Sequence, residues 1–312
     1  MESVFSAALE QMIVLFLLMT VGYILQKKNL IGHNAGKVLS DLEVCIFCPC
    51  LTVATYTKNF TIDVLSEKLS LLGLSLALLL IFTIPFSRTI SRWLGRTENE
   101  SAVYSYALCF SNSGYLGYPI VRAVFGEAAL ANMMIFCLPI NIAIYSYGLY
   151  TLLPEKGFSF KKLLKPVTIT PFISIVLIIF GVKLPDVLNT ALVNCGNCMA
   201  PVAMLLTGIV LANYPLKSMF TNMRTYIASA LRLIIIPFLV ACILYVINIR
   251  GEMLLLASVT LAMPLGLNSV VFPAAYGGDV KSGSQATFIS NLLGIVTIPA
   301  MLSIFYVMAY GI

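Results

Sequence analysis

The apolar residues of this chain fall into ten blocks separated by short polar stretches, at roughly 7–25, 38–57, 69–87, 101–121, 128–152, 166–182, 187–211, 225–248, 253–275 and 283–310. Crossing a bilayer as a helix takes about 20 apolar residues, and each block meets or approaches that length. Two of the blocks are interrupted. Tyr104 to Val121 contains Ser111-Asn112-Ser113-Gly114-Tyr115-Leu116-Gly117-Tyr118-Pro119, and Leu254 to Ala275 contains Pro264-Leu265-Gly266-Leu267-Asn268-Ser269 and then Pro273. A helix broken inside lipid leaves N–H and C=O groups without water, so breaks persist only where they are buried in protein or line a wet cavity. A pair of interrupted spans at matching places in the two halves points to the substrate site of a secondary transporter.

Composition agrees with this pattern. The chain is 60% hydrophobic and 10% charged, with a mean hydropathy of +0.96, against about 25% charged residues in a soluble domain. A polytopic, all-α membrane protein is expected, with no soluble domain of useful size among its 312 residues. Ala7 to Leu25 lacks a basic region before it and a small-residue cleavage site after it, so it reads as a retained first span.

Lysine and arginine set the expected orientation. The odd-numbered loops hold thirteen of the nineteen, among them Lys27, Lys28, Arg88, Arg92, Arg96, Lys161 and Lys162, and the even-numbered loops hold five. Odd loops are therefore expected in the cytoplasm and both termini outside it, in the plasma (cell inner) membrane. The net charge of +6 follows from this bias and is no nucleic-acid signal.

Eight cysteines include a Cys195-x-x-Cys198 pair, but a zinc or redox site also needs a second ligand pair or a redox fold. Packing is the favoured reading, and no metal or cofactor is expected. The sole histidine, His33, lies in a loop, so no catalytic residues are proposed. Intramembrane proteases and prenyl transferases need a His/Glu metal motif, an Asp-rich motif or a Ser/Lys dyad, and none is visible.

Ten spans divide into 1–153 and 166–312 around a short linker at 154–165. Five spans per half is an odd number, so any repeat has to be inverted in the membrane. Pro49 of the second span matches Pro201 of the seventh, and Phe125-Gly126-Glu127 matches Tyr276-Gly277-Gly278-Asp279.

On these residues the chain resembles the auxin efflux carrier family, the plant PIN-type carriers and their shorter bacterial relatives. The resemblance rests on Asn112, Gly117 and Pro119 in the fourth span, Arg232 and Pro237 in the eighth, Pro49 in the second, and Pro264 and Gly266 in the ninth. It implies two inverted five-helix repeats in the fold of bile-acid symporters and sodium/proton antiporters. Helices 1, 2, 6 and 7 would form a scaffold, with helices 3–5 and 8–10 forming a transport domain in which broken helices 4 and 9 cross. Where the plant carriers place a proline at the second crossing, this chain aligns Ser269, between Pro264 and Pro273.

The candidate substrate-binding residues are Asn112, Gly117, Pro119, Asn268 and Ser269, with Asn141 and Thr52 added by the family alignment. Arg232, Pro264, Gly266 and Pro273 are expected to shape the transport domain. Half-helices meeting at the crossing aim N-terminal ends into the site, which suits an anion. Arg232 is the one cation well inside a span, a placement costing about 2.5–3.5 kcal/mol. It either snorkels to the interface or holds the transport domain together, and the second is favoured. Asp41 and Glu43 fall near one end of the second span, so no mid-membrane carboxylate is expected, nor coupling through a dedicated acid.

The expected function is alternating-access transport of a small organic anion, an auxin- or malate-like carboxylate. The expected partners are that anion and the lipid bilayer, with no nucleic acid. A homodimer is allowed. An ion-coupled cation exchanger or channel of the same fold stays open, as does, more remotely, an intramembrane enzyme.

Overall fold

A computed structural model describes residues 2–32, 34–152, 165–270 and 280–311. Among these residues the secondary structure is helical, apart from one isolated backbone bridge. Seven helices are long and apolar enough to cross a membrane, and two apolar helices are shorter. The long helices carry exposed Leu17, Val21, Leu80, Ile81, Val246 and Val296. An apolar surface of this kind fits lipid and not water. This is a multi-pass membrane protein.

In chain order the helices are α1 (Glu2–Lys27), α2 (Ala35–Asn59), α3 (Ile62–Leu94) and α4 (Glu98–Cys109). After α4 come α5 (113–125), α6 (127–152, interrupted at Cys137), α7 (Pro166–Ile179) and α8 (Asp186–Ala212). The last three are α9 (Met223–Val246), α10 (Gly251–Ala262) and α11 (Val280–Tyr310). Although α5 and α6 run on without a gap in hydrogen bonding, Gly126 between them has φ 86° and ψ −178°. That conformation is open essentially to glycine alone, so the chain turns there and the two are separate helices.

Among the described residues, five of the helices contain a wide turn with i to i+5 hydrogen bonding: one at Ile144–Gly148, with no proline two residues after it, and four at Glu43–Phe47, Leu78–Thr83, Ser113–Gly117 and Leu231–Ile235. A proline follows two residues after each of these four: Pro49, Pro85, Pro119 and Pro237. The cause is local. Proline has no N–H and its ring clashes with the carbonyl four residues back. One extra residue in the preceding turn lets the freed carbonyl find another donor, and such bulges gather at functional sites. In α2 the Cys48 N–H bonds the Glu43 carbonyl across this turn.

Close backbone approach joins α1 to α8. A Cβ on Gly22 would overlap the Leu205 carbonyl, and one on Gly208 would overlap that of Met19. The second face of α8, with α7, packs on the wide turn of α2. Polar contacts tie the far ends of the other helices. Glu252 at the start of α10 accepts from Lys68 Nζ at 2.9 Å and Asn132 Nδ2 at 2.5 Å. Asn222, capping α9, donates from Nδ2 to Glu100 at 3.3 Å and to the Tyr104 hydroxyl at 3.2 Å.

Candidate functional site

Helices α4 and α10 both stop in mid-protein, and both chains continue extended before becoming helical again. The two extended breaks meet. Ser111 and Leu265 pair as an antiparallel bridge, and the Asn112 N–H donates to the Pro264 carbonyl at 2.8 Å. Ser111 Oγ donates to the Thr260 carbonyl at 2.8 Å, and Ser290 Oγ accepts from the Leu265 N–H at 3.1 Å. The breaks thus satisfy backbone groups on each other, on α10 and on α11, as burial in an apolar interior requires.

Both the C-terminal ends of α4 and α10 and the N-terminal ends of the following helices lie at this junction. Arg232, from the wide turn of α9, is 1% exposed. Its Nη1 donates to the Leu108 carbonyl at 2.8 Å and its Nε to the Met263 carbonyl at 3.4 Å. One guanidinium therefore covers the negative ends of both interrupted helices. It does not snorkel: the side chain turns inward, because two sets of orphan carbonyls attract it more strongly than the distant interface.

On the other side of the junction is a cavity of about 60 Å³, traced by the centre of a water-sized sphere. At roughly 10–15 Å³ per water this holds a few waters or a small polar molecule. Asn112, Asn141 and Asn268 line it, as do Ser113, Gly114, Tyr115 and Gly266. Ser113 to Tyr115 open α5, and the first N–H groups of a helix have no partner within it. Asn112 is 3% exposed, and its Nδ2 has no hydrogen-bond partner among the described residues. A buried amide donor of this kind, beside a helix start, is suited to a ligand oxygen.

The other described candidates lie outside the lining of this cavity. Gly117 packs: a Cβ there would come within 2.9 Å of Met133 Cε and 3.1 Å of Met263 Cγ. Pro119 lines a neighbouring cavity with Arg122, which is paired with Glu127 at 2.6 Å. The Thr52 hydroxyl donates to the Cys48 carbonyl of its own helix at 2.9 Å. Ser269 Oγ donates to the Gly266 carbonyl at 2.8 Å. Pro264 accepts the Asn112 bond described above, and Pro273 lies outside the described residues.

Glu43 corrects the expectation from sequence. Its place near one end of the second span leads to the expectation that no carboxylate is buried there. Glu43 is fully buried and lines the same cavity as the three asparagines. The reason is the wide turn that it opens. One added residue rotates the preceding part of the helix by about 100° relative to a regular one, so position along the span alone does not tell which side Glu43 faces. The proline two residues beyond the turn was the available signal. Tyr106, Tyr118, Val167 and Met199 also line the cavity and were not anticipated, since they come from four separate helices.

Comparison with known proteins agrees with what these residues form. A family model described as membrane transport protein matches residues 7–162 and 151–302. An uncharacterized transporter of Methanocaldococcus jannaschii is 25% identical over 299 residues, covering 93% of this chain and 96% of that protein. One from Methanothermobacter thermautotrophicus is 24% identical, covering 95% and 98%. The Escherichia coli K12 transporter YfdV is 20% identical, covering 91% and 93%. The chain belongs to this membrane transport protein family, the auxin efflux carrier family that its motifs resemble.

Proposed function

We propose that this family member is a secondary transporter that carries a small carboxylate across the cell membrane by alternating access. Its substrate would sit in the cavity at the meeting of the two breaks. In this reading the chain forms ten spans in two inverted five-helix repeats, 1–153 and 166–312, with both termini outside the cytoplasm. Spans 1, 2, 6 and 7 (α1, α2, α7 and α8) form the scaffold, and the remaining six spans move with the substrate.

The observation that carries the anionic substrate is the unpartnered Asn112 amide at the start of α5. Arg232 supports it. By covering the carbonyl ends of α4 and α10, it leaves the N-terminal end of α5 as the described helix end beside the cavity. Such an end acts like about half a positive charge. Enzymatic chemistry has no comparable support, because the family and the named relatives are transporters.

A thermal-shift screen of the purified protein against carboxylates, amines and metal cations tests the substrate class. Stabilisation by carboxylates is expected. Stabilisation by amines or metal cations, with none by any carboxylate, would replace this reading with that of a cation exchanger.

A further inference from the structure

We infer that Glu43 is a proton-binding site, and that the anion and a proton occupy the cavity together. The inference rests on the transport reading above and adds a coupling ion to it. Its basis is geometric. Glu43 is 0% exposed, it lines the cavity, and neither carboxylate oxygen has a hydrogen-bond partner among the described residues. Two unpartnered acceptor oxygens therefore share one small space with the unpartnered Asn112 donor.

An ionised carboxylate buried without a cation or donors is costly by several kcal/mol, and such groups neutralise by taking up a proton instead. The surroundings offer no alternative compensation. No lysine or arginine lines the cavity among the described residues. On its own helix Glu43 is accompanied by Cys48 in the cavity wall, while Lys37, Asp41 and Cys45 are exposed. Helix α7, packed on the wide turn, carries no titratable side chain, and half-buried Lys165 precedes it. Helix α8, packed on the same turn, carries exposed Asp186, half-buried Cys195 and exposed Cys198. Across the cavity stand Tyr106, Tyr115 and Tyr118.

A substrate anion in this space sharpens the requirement. Two negative charges together in a low-dielectric cavity repel strongly, so the anion is admitted when Glu43 is neutral. Water on the open side supplies the proton, which forms an O–H bond on one carboxyl oxygen. When the cavity next meets water, that bond breaks and the proton returns to solvent as the anion leaves. One monoanion and one proton bind with no net charge. This departs from the electrogenic movement expected of a carrier lacking an acid.

The test combines two measurements on the purified protein and its Glu43→Gln variant. Infrared difference spectra need no substrate: a protonated-carboxyl stretch that shifts in D2O and vanishes in E43Q is expected near neutral pH. The second measurement is binding of malate and of indole-3-acetate, and of the most stabilising carboxylate of the screen, from about pH 6 to about pH 10.5. Wild-type affinity should hold while the free carboxyl stays protonated and fall above the pH at which its infrared band titrates away, approaching tenfold per unit for one linked proton. E43Q, always neutral, should bind with no such dependence. Above the pH at which the band disappears, binding enthalpy of the wild type in buffers of different ionisation enthalpy should report uptake of one proton, which stands even if E43Q misfolds. Carboxylate binding that is pH-independent in the wild type, with no protonated-carboxyl band, would overturn the proton site and leave the anion reading intact. The infrared band with no carboxylate bound at any pH would overturn the anion reading, and with it co-occupancy, while leaving Glu43 protonated.

Discussion

The backbone N–H of Asn112 donates to the carbonyl of Pro264 at 2.8 Å, joining the two interrupted helices 152 positions apart along the chain. Because this bond uses the main chain, it survives any side-chain change at Asn112. The side-chain amide is thereby separated from the structural task that a residue at a helix break would otherwise perform. Asn112→Ala is expected to leave folding nearly intact while weakening carboxylate binding by about 10- to 150-fold, as for loss of one hydrogen bond to a charged group, worth about 1.5–3 kcal/mol. Titration of the variant with the best carboxylate of the screen checks this, with monodispersity as the folding control. Wild-type affinity would remove Asn112 from the site.

Arg232 should behave in the opposite way. Its guanidinium serves the Leu108 and Met263 carbonyls, both buried at helix ends. Arg232→Met removes a cation and leaves both carbonyls unsatisfied. A loss of about 3–5 kcal/mol is expected, the range for breaking a buried charged contact on one side. Thermal unfolding in detergent should show a large drop in midpoint, with Arg232→Lys falling between because one ammonium cannot reproduce the fork. Unchanged melting of R232M would contradict the role assigned to the bonds.

Gly126 separates α5 from α6 through a backbone conformation that other residues avoid. Its built Cβ would meet no neighbouring atom within 4 Å, so crowding is not the obstacle. Gly126→Ala is expected to cost about 1–3 kcal/mol through backbone strain alone. The same melting assay measures it, and an unchanged midpoint would mean that the turn relaxes without penalty.

These residues show what was legible in the sequence. The two breaks were visible because glycine, proline and asparagine interrupt apolar runs, and Phe125-Gly126-Glu127 marked the end of one of them. Arg232 was identifiable as a buried charge, but its partners were not: they are backbone carbonyls of Leu108 and Met263, which carry no side-chain signature. Gly117 reads like a site glycine, yet its missing side chain makes room for Met133 and Met263, a packing demand set by distant residues. Glu43 was passed over because it falls near one end of its span, a position that does not show which side it faces in the widened turn before Pro49.

The proposed orientation rests on charge bias and is independent of the cavity. Lys161→Cys in a cysteine-free background is expected to resist an impermeant thiol reagent added to intact cells and to react after permeabilisation. Labelling in intact cells would invert the topology and reverse the assigned transport faces.

Pro49 connects the fold to the proposed proton site. With no N–H at position 49, the preceding turn widens from Glu43 to Phe47, and this turn aims Glu43 inward. Pro49→Ala restores a donor that can bond the Cys45 carbonyl and allows a regular helix. Reversing the added residue's rotation of about 100° would swing Glu43 out of the cavity without changing its chemistry. Carboxylate affinity in P49A should then lose its pH dependence, as in E43Q, although the carboxyl is still present. The infrared band of the protonated acid should weaken in parallel as the group reaches a more polar surface. Retention of the full wild-type pH dependence in P49A would mean that packing against α7 and α8, and not the proline, holds Glu43 in place.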